Sequence, residues 1–221
     1  MNTYATPAPI TAAFDVPAGR VQVIAADRTD TVVEVRPANP AKSRDVKAAE
    51  QATIEFADGT LQVRAATGNR YLGSTGSIEV TVQLPAGSRV EAKASATEFR
   101  GVGRLGEVAF DGAYRHIKID EATRVQLTAT DGDVEVGHLN GPADISTARG
   151  DIRITHATGP GQLDLRTQSG DITITAAPGV SAALDAATPT GRITNSLTNN
   201  GTTDLDVRAT TTHGHITARS L

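Results

Sequence analysis

The chain has no cysteine and no tryptophan, and only 3 Tyr and 4 Phe among its 221 residues. Without cysteine there is no disulfide framework, no thiol nucleophile and no cysteine-ligated metal. With so few aromatics the core must be aliphatic, which suits a narrow interior of Val, Ile, Leu and Ala better than a thick sandwich. Long apolar runs are missing as well, and residues 1–10 carry no basic leader, so neither a membrane span nor a signal peptide is expected. The chain as given is therefore expected to be soluble and cytoplasmic, with no support for a surface location.

Charge is moderate, at a formal net −4. Residues 1–110 hold 12 basic and 12 acidic side chains and residues 111–221 hold 9 and 13, so the second half carries the whole excess. Neither a basic stripe nor an aromatic stacking platform is present, which excludes nucleic acid as the expected partner. Helical periodicity is absent too. Only residues 42–51 have helix-forming composition, and they are expected to form a loop with one or two helical turns.

What is present is a repeat. Thr147-Ala148-Arg149-Gly150-Asp151-Ile152 and Thr167-Gln168-Ser169-Gly170-Asp171-Ile172 are two copies of one turn, and looser copies align on Gly132, Gly191 and Gly214. Successive glycines are 18, 20, 21 and 23 residues apart. Two residues after each stands Val134, Ile152, Ile172, Ile193 or Ile216. Apolar pairs such as Leu163 and Leu165 precede each glycine with the period of two that a strand requires. Each unit therefore reads as two short strands around one sharp turn. Thr147, Thr167, Thr188 and Thr211 lie three residues before four of the glycines, where a hydroxyl can satisfy backbone groups exposed at a corner. These nine glycines and threonines are the expected structural turn positions.

A drifting but unbroken repeat of this length predicts an all-β, single-domain β-solenoid over residues 1–221, of the β-helix or β-roll kind, with stacked two-strand rungs. Residues 96–221 would form the regular rungs and residues 1–95 a less regular capping half. In that half Asp58-Gly59 sits between two alternating segments and predicts a hairpin. Gly101, Gly103 and Gly106 match a dinucleotide-binding pattern by letter, but a strand and turn follow instead of the helix whose N-terminus would receive a phosphate. They are expected to be corner residues.

Candidate chemistry is sparse. His213 and His215, one residue apart, would share a face of a strand and could supply half of a metal site. His116, His138 and His156 are scattered, with no carboxylate at a recurring spacing to bind them together. Asp131, Asp133, Asp151 and Asp171 could stack into a calcium site or an acid pair, yet an Asp after Gly is also an ordinary turn residue that accepts backbone hydrogen bonds. No Gly-x-Ser-x-Gly elbow and no calcium nonapeptide occurs. The expectation is no catalytic, cofactor-binding or metal residue, and no enzyme.

The segments Phe14-Asp15-Val16-Pro17-Ala18-Gly19 and Val80-Thr81-Val82-Gln83-Leu84-Pro85-Ala86-Gly87, with the serial Gly-Asp-Ile/Val units, resemble the bacterial putative-adhesin family, a β-strand-repeat domain of unknown function. The resemblance spans nearly the whole chain. It implies a repeated β-fold and surface attachment, and it carries no catalytic residues to transfer. The resulting expectation is a non-catalytic binding or scaffolding module for a protein or polymer. Homo-oligomers could form by edge or face stacking, as in bactofilin-like scaffolds, should the rung around Ile216 leave an open edge. A β-helix enzyme acting on polysaccharide is the remaining alternative.

Overall fold

The computed structural model describes residues 1–65, 76–113 and 116–221. Tertiary contacts divide the chain into two units, Met1–Arg115 and His116–Leu221. Alternating apolar residues make almost every element a strand, so the expected all-β class holds, and the fold is β-solenoid-like.

The first unit contains β1 (Asn2–Ala5), β2 (Thr11–Asp15), β3 (Ala18–Ala26), β4 (Asp30–Pro37), the helix α1 (Ser43–Glu50), β5 (Thr53–Ala57), β6 (Thr60–Arg64), β7 (Ile78–Pro85), β8 (Arg89–Lys93) and β9 (Ala96–Ala113). Its stacking does not follow chain order. β2 pairs in parallel with both β6 and β8, and β3 pairs in parallel with both β7 and β9, so the β2–β3 rung lies between two rungs made by later sequence. Antiparallel strands are added outside: β4 on β7, β1 on β4, and β5 on β6. The β5–β6 hairpin turns at Asp58 and Gly59, whose φ values of 50° and 72° are the left-handed pair that a two-residue hairpin loop demands. Residues 42–51, expected as a loop with one or two helical turns, hold the eight-residue helix α1. It is held by buried Asp45, whose Oδ1 accepts the Ser77 N–H at 3.1 Å.

The glycine-rich stretch lies inside β9, which has to change partner along its length. Ala96–Gly103 pairs with β3, whereas Val108–Asp111 pairs with β8. Between them Gly103 has φ +78°, and a Cβ there would sit 2.1 Å from the Ala25 carbonyl oxygen. Close backbone approach explains the glycine, and the stretch runs on as strand to Ala113, whereas a phosphate site of that pattern needs a helix N-terminus.

The second unit contains β10 (Ile117–Asp131), β11 (Val134–Leu139), β12 (Ala143–Arg149), β13 (Ile152–Ala157), β14 (Gly161–Ser169), β15 (Ile172–Ala176), β16 (Ala182–Ala187), β17 (Ile193–Ser196), β18 (Leu205–His213) and β19 (Ile216–Ser220). They form two parallel ladders. Before the turn glycines the order is β10, β12, β14, β18, β16; after them it is β10, β11, β13, β15, β19, β17. The rung that comes last in sequence, β18–β19, is thus inserted between β14–β15 and β16–β17. Ile216 is fully buried, and the exposed terminus of the ladders is the rung of Ile193, which is 43% exposed. The rung around Ile216 thus has no open edge, because parallel pairing, and not chain order, decides which rung is outermost.

The core is a pile of like residues in register. Val134, Ile152, Ile172, Ile216 and Ile193 form one column, and Leu127, Ile145, Leu165, Ala209 and Ala186 another. Removing each interior Ile or Leu from water is worth roughly 1.5–3 kcal/mol. At the terminal rung the columns fade into Ala186, Ile193 and Asn195, the atypical composition of a rung that has a neighbour on one side only.

Candidate functional site

The corner of each rung is built from three columns. The first is glycine. Gly132, Gly150, Gly170 and Gly214 have φ of +131°, +132°, +153° and +152°. A Cβ on Gly150 would lie 2.3 Å from the Gly132 carbonyl oxygen, and one on Gly170 2.1 Å from that of Gly150. Gly214 and Gly191 continue the pile, at 1.9 Å from Gly170 O and 1.8 Å from Gly214 O. The rungs stack so closely here that a side chain would collide with the backbone of the neighbouring rung.

The second column is threonine. Thr167 Oγ1 donates to the Gly150 carbonyl at 3.1 Å, Thr211 to Gly170 at 2.9 Å and Thr188 to Gly214 at 3.1 Å. Thr147 donates instead to the carbonyl of Arg149 in its own rung, at 3.1 Å. Thr147, Thr167 and Thr211 are buried, so each hydroxyl needs such a partner.

The third column uses the aspartates. Asp133 Oδ1 accepts the Asp151 N–H at 2.9 Å, Asp151 Oδ1 accepts that of Asp171 at 2.8 Å, and Asp171 Oδ1 accepts that of His215 at 2.7 Å. His215 completes the series by accepting the Arg192 N–H at Nδ1, 3.0 Å away. One oxygen of each of these carboxylates accepts from a backbone donor of the next rung, the ordinary turn role of aspartate. His213 and His215 do not share a strand face: His213 ends β18, Gly214 turns the chain, and His215 is engaged in the corner column.

Outside the corners, charges pair across rungs. Arg166 meets Asp144 of the neighbouring rung and Asp164 of its own strand, each at 3.3 Å, and Arg149 meets Asp131 at 2.8 Å. Lys118 holds Glu135 at 2.9 Å, with His116 at 3.9 Å from the same carboxylate. In the first unit the Arg28 guanidinium bonds to Asp30 at 2.9 Å and holds its carboxyl below the usual aspartate value.

Sequence reading missed one pair. β11 and β13 place His138 directly beside His156, with ring centroids 4.6 Å apart and planes inclined by only 12°. Glu121 is the register neighbour of His138 on β10. The signal was available: His138 and His156 are 18 residues apart, the interval that separates Gly132 from Gly150.

With two parallel ladders and glycine corners established, the family match is informative. The model of Toastrack DUF4097 matches residues 88–219, more than half of the chain. The chain belongs to the Toastrack DUF4097 family. The Toastrack fold is shared with a putative adhesin from Bacteroides fragilis NCTC 9343, at a TM-score of 0.55 and 14% identity over 98% of this chain and 95% of that one. A putative adhesin from Parabacteroides distasonis ATCC 8503 (TM-score 0.46, 13% identity, 98% and 95% covered) is also similar. So is a putative cell adhesion protein from Clostridium sporogenes ATCC 15579 (TM-score 0.40, 10% identity, 100% and 98% covered). No curated protein matches the chain. Among the described residues no helix is long and apolar enough to cross a membrane.

Proposed function

We propose that this Toastrack chain is a non-catalytic binding or scaffolding module that engages a protein or polymer through its stacked polar faces. The supporting observation is the commitment of its polar side chains to the stack. The aspartates that could have formed a reactive cluster accept backbone N–H groups, and exposed Arg166 and Asp144 pair between rungs. Such faces present side chains at the spacing of roughly 4.8 Å set by neighbouring strands, a regular array suited to an extended partner. The adhesin name carried by the Bacteroides fragilis protein that shares the fold agrees with attachment as the role.

Assembly of copies through the terminal rung is the second reading, favoured by one observation. Among the described residues β16 pairs only with β18 and β17 only with β19, so each has a free edge. The start of that edge is closed, since Ala182 donates to the Thr198 carbonyl at 2.9 Å and accepts from Asn199 Nδ2 at 3.2 Å. Backbone groups alternate in direction along a strand, so the Ala186 N–H points outward like that of Ala182. Ala186→Pro removes this donor while leaving the ladder to β18 intact.

Light scattering coupled to size-exclusion chromatography over a wide concentration range separates the readings. A face-binding module stays monomeric in wild type and variant alike. Growth with concentration that Ala186→Pro abolishes would replace the face-binding reading by edge assembly.

A further inference from the structure

We infer that His138 and His156, with Glu121 beside them, form a binding site for a divalent first-row transition metal of the nickel, copper and zinc class. Three observations carry this. First, parallel pairing of β10, β11 and β13 puts Glu121, His138 and His156 on one face at consecutive register positions. Second, the fold leaves one imidazole nitrogen unpaired. The Nδ1 of His156 is buried and has no hydrogen-bond partner, alone in this among the described residues. A buried nitrogen left unpaired costs about 1–3 kcal/mol, so folding by itself gives no reason for a histidine there. Third, His138 is exposed and lies over His156 with a centroid distance of 4.6 Å.

The rings as they stand are parallel, and their lone pairs do not converge; no three His, Asp or Glu side chains among the described residues already surround one point. Metal–nitrogen bonds of 2.0–2.1 Å bring two ligating nitrogens to about 3 Å from each other. Rotation of the exposed His138 about its side-chain torsions closes that gap while the two strands stay in place. His156 contributes its unused Nδ1. Glu121 supplies an oxygen, although its Oε1 now accepts from Asn140 Nδ2 at 2.9 Å, and water completes the shell. Imidazole favours nickel, copper and zinc, whereas an all-oxygen corner would favour calcium.

Titration of the full chain with Zn²⁺, followed by calorimetry and by the imidazole resonances in NMR, tests the site. One equivalent is expected to bind and to shift the ring signals of both His138 and His156. His138→Ala and His156→Ala should each weaken binding at least tenfold, by comparison with the 10–100-fold lost when even an outer-shell partner is removed. Glu121→Gln should weaken it less. His213→Ala and His116→Ala should bind as wild type does. Because His138 is exposed, its variant keeps the fold and isolates the ligand effect. Absence of stoichiometric binding, binding unchanged in His138→Ala, or loss of binding in His213→Ala instead would overturn the proposal.

Discussion

The rungs β18–β19 and β16–β17 have closely related patterns, yet the fold uses them in opposite ways. Ile216 and Ile193 occupy the same column two residues after a turn glycine. One is fully buried between two rungs and the other is 43% exposed at the end of the ladders. The first unit shows the same device: its early rung β2–β3 is enclosed between β6–β7 and β8–β9. In each unit a terminal segment of the chain becomes an interior rung. In the second unit β18–β19 thereby gains hydrogen-bonded neighbours on both sides, and the rung before it in sequence, β16–β17, takes the exposed position.

The contrast can be broken most forcefully at the corner. Gly170→Val should lower stability by roughly 4 kcal/mol, combining strain at positive φ with overpacking against the Gly150 carbonyl. Gly191→Val meets an equally near carbonyl, but its rung has a free outer side and can shift. Its loss of protection in hydrogen exchange should stay local to β16 and β17. Equal global destabilisation by both would mean that the terminal rung is as constrained as the interior one.

Smaller in effect, but sharper as a test of rung order, is the isoleucine pair. Ile216→Ala should cost about 3 kcal/mol in denaturant unfolding, as for other buried large-to-small changes, and Ile193→Ala under about 1 kcal/mol. The reverse ranking would restore the stacking that chain order suggests. Smaller than the Ile216 effect is that of Thr211→Val, a near-isosteric loss of the hydroxyl that serves Gly170. It should cost about 1–2 kcal/mol, since a carbonyl loses its partner in the interior. An unchanged midpoint would assign that carbonyl another donor.

Much of the rung architecture is legible in the amino-acid sequence. Period-two alternation exposes which residues point inward, and Leu163, Leu165, Ile172 and Ile174 are all fully buried. Asp-Gly at positions 58 and 59 marks the hairpin, and the helix-poor composition matches a fold with one short helix among the described residues. The aspartate column is harder to read. Asp after Gly is compatible with either a cation cage or a backbone acceptor, and only the position of the next rung's N–H decides between them. His138 and His156 escape notice because equal spacing becomes contact only once the register is known.

The sequence by itself determined the rung: alternation, the glycine corner and the threonine hydroxyl are local, each set by the steric and hydrogen-bonding needs of a few consecutive residues. The order of the rungs was decided by tertiary structure alone. Any of these strands offers similar apolar residues and identical backbone groups to a neighbour, so local pattern cannot rank the pairings. The choice is made by packing and edge satisfaction summed over the stack, and it buries Ile216 while leaving Ile193 at the surface.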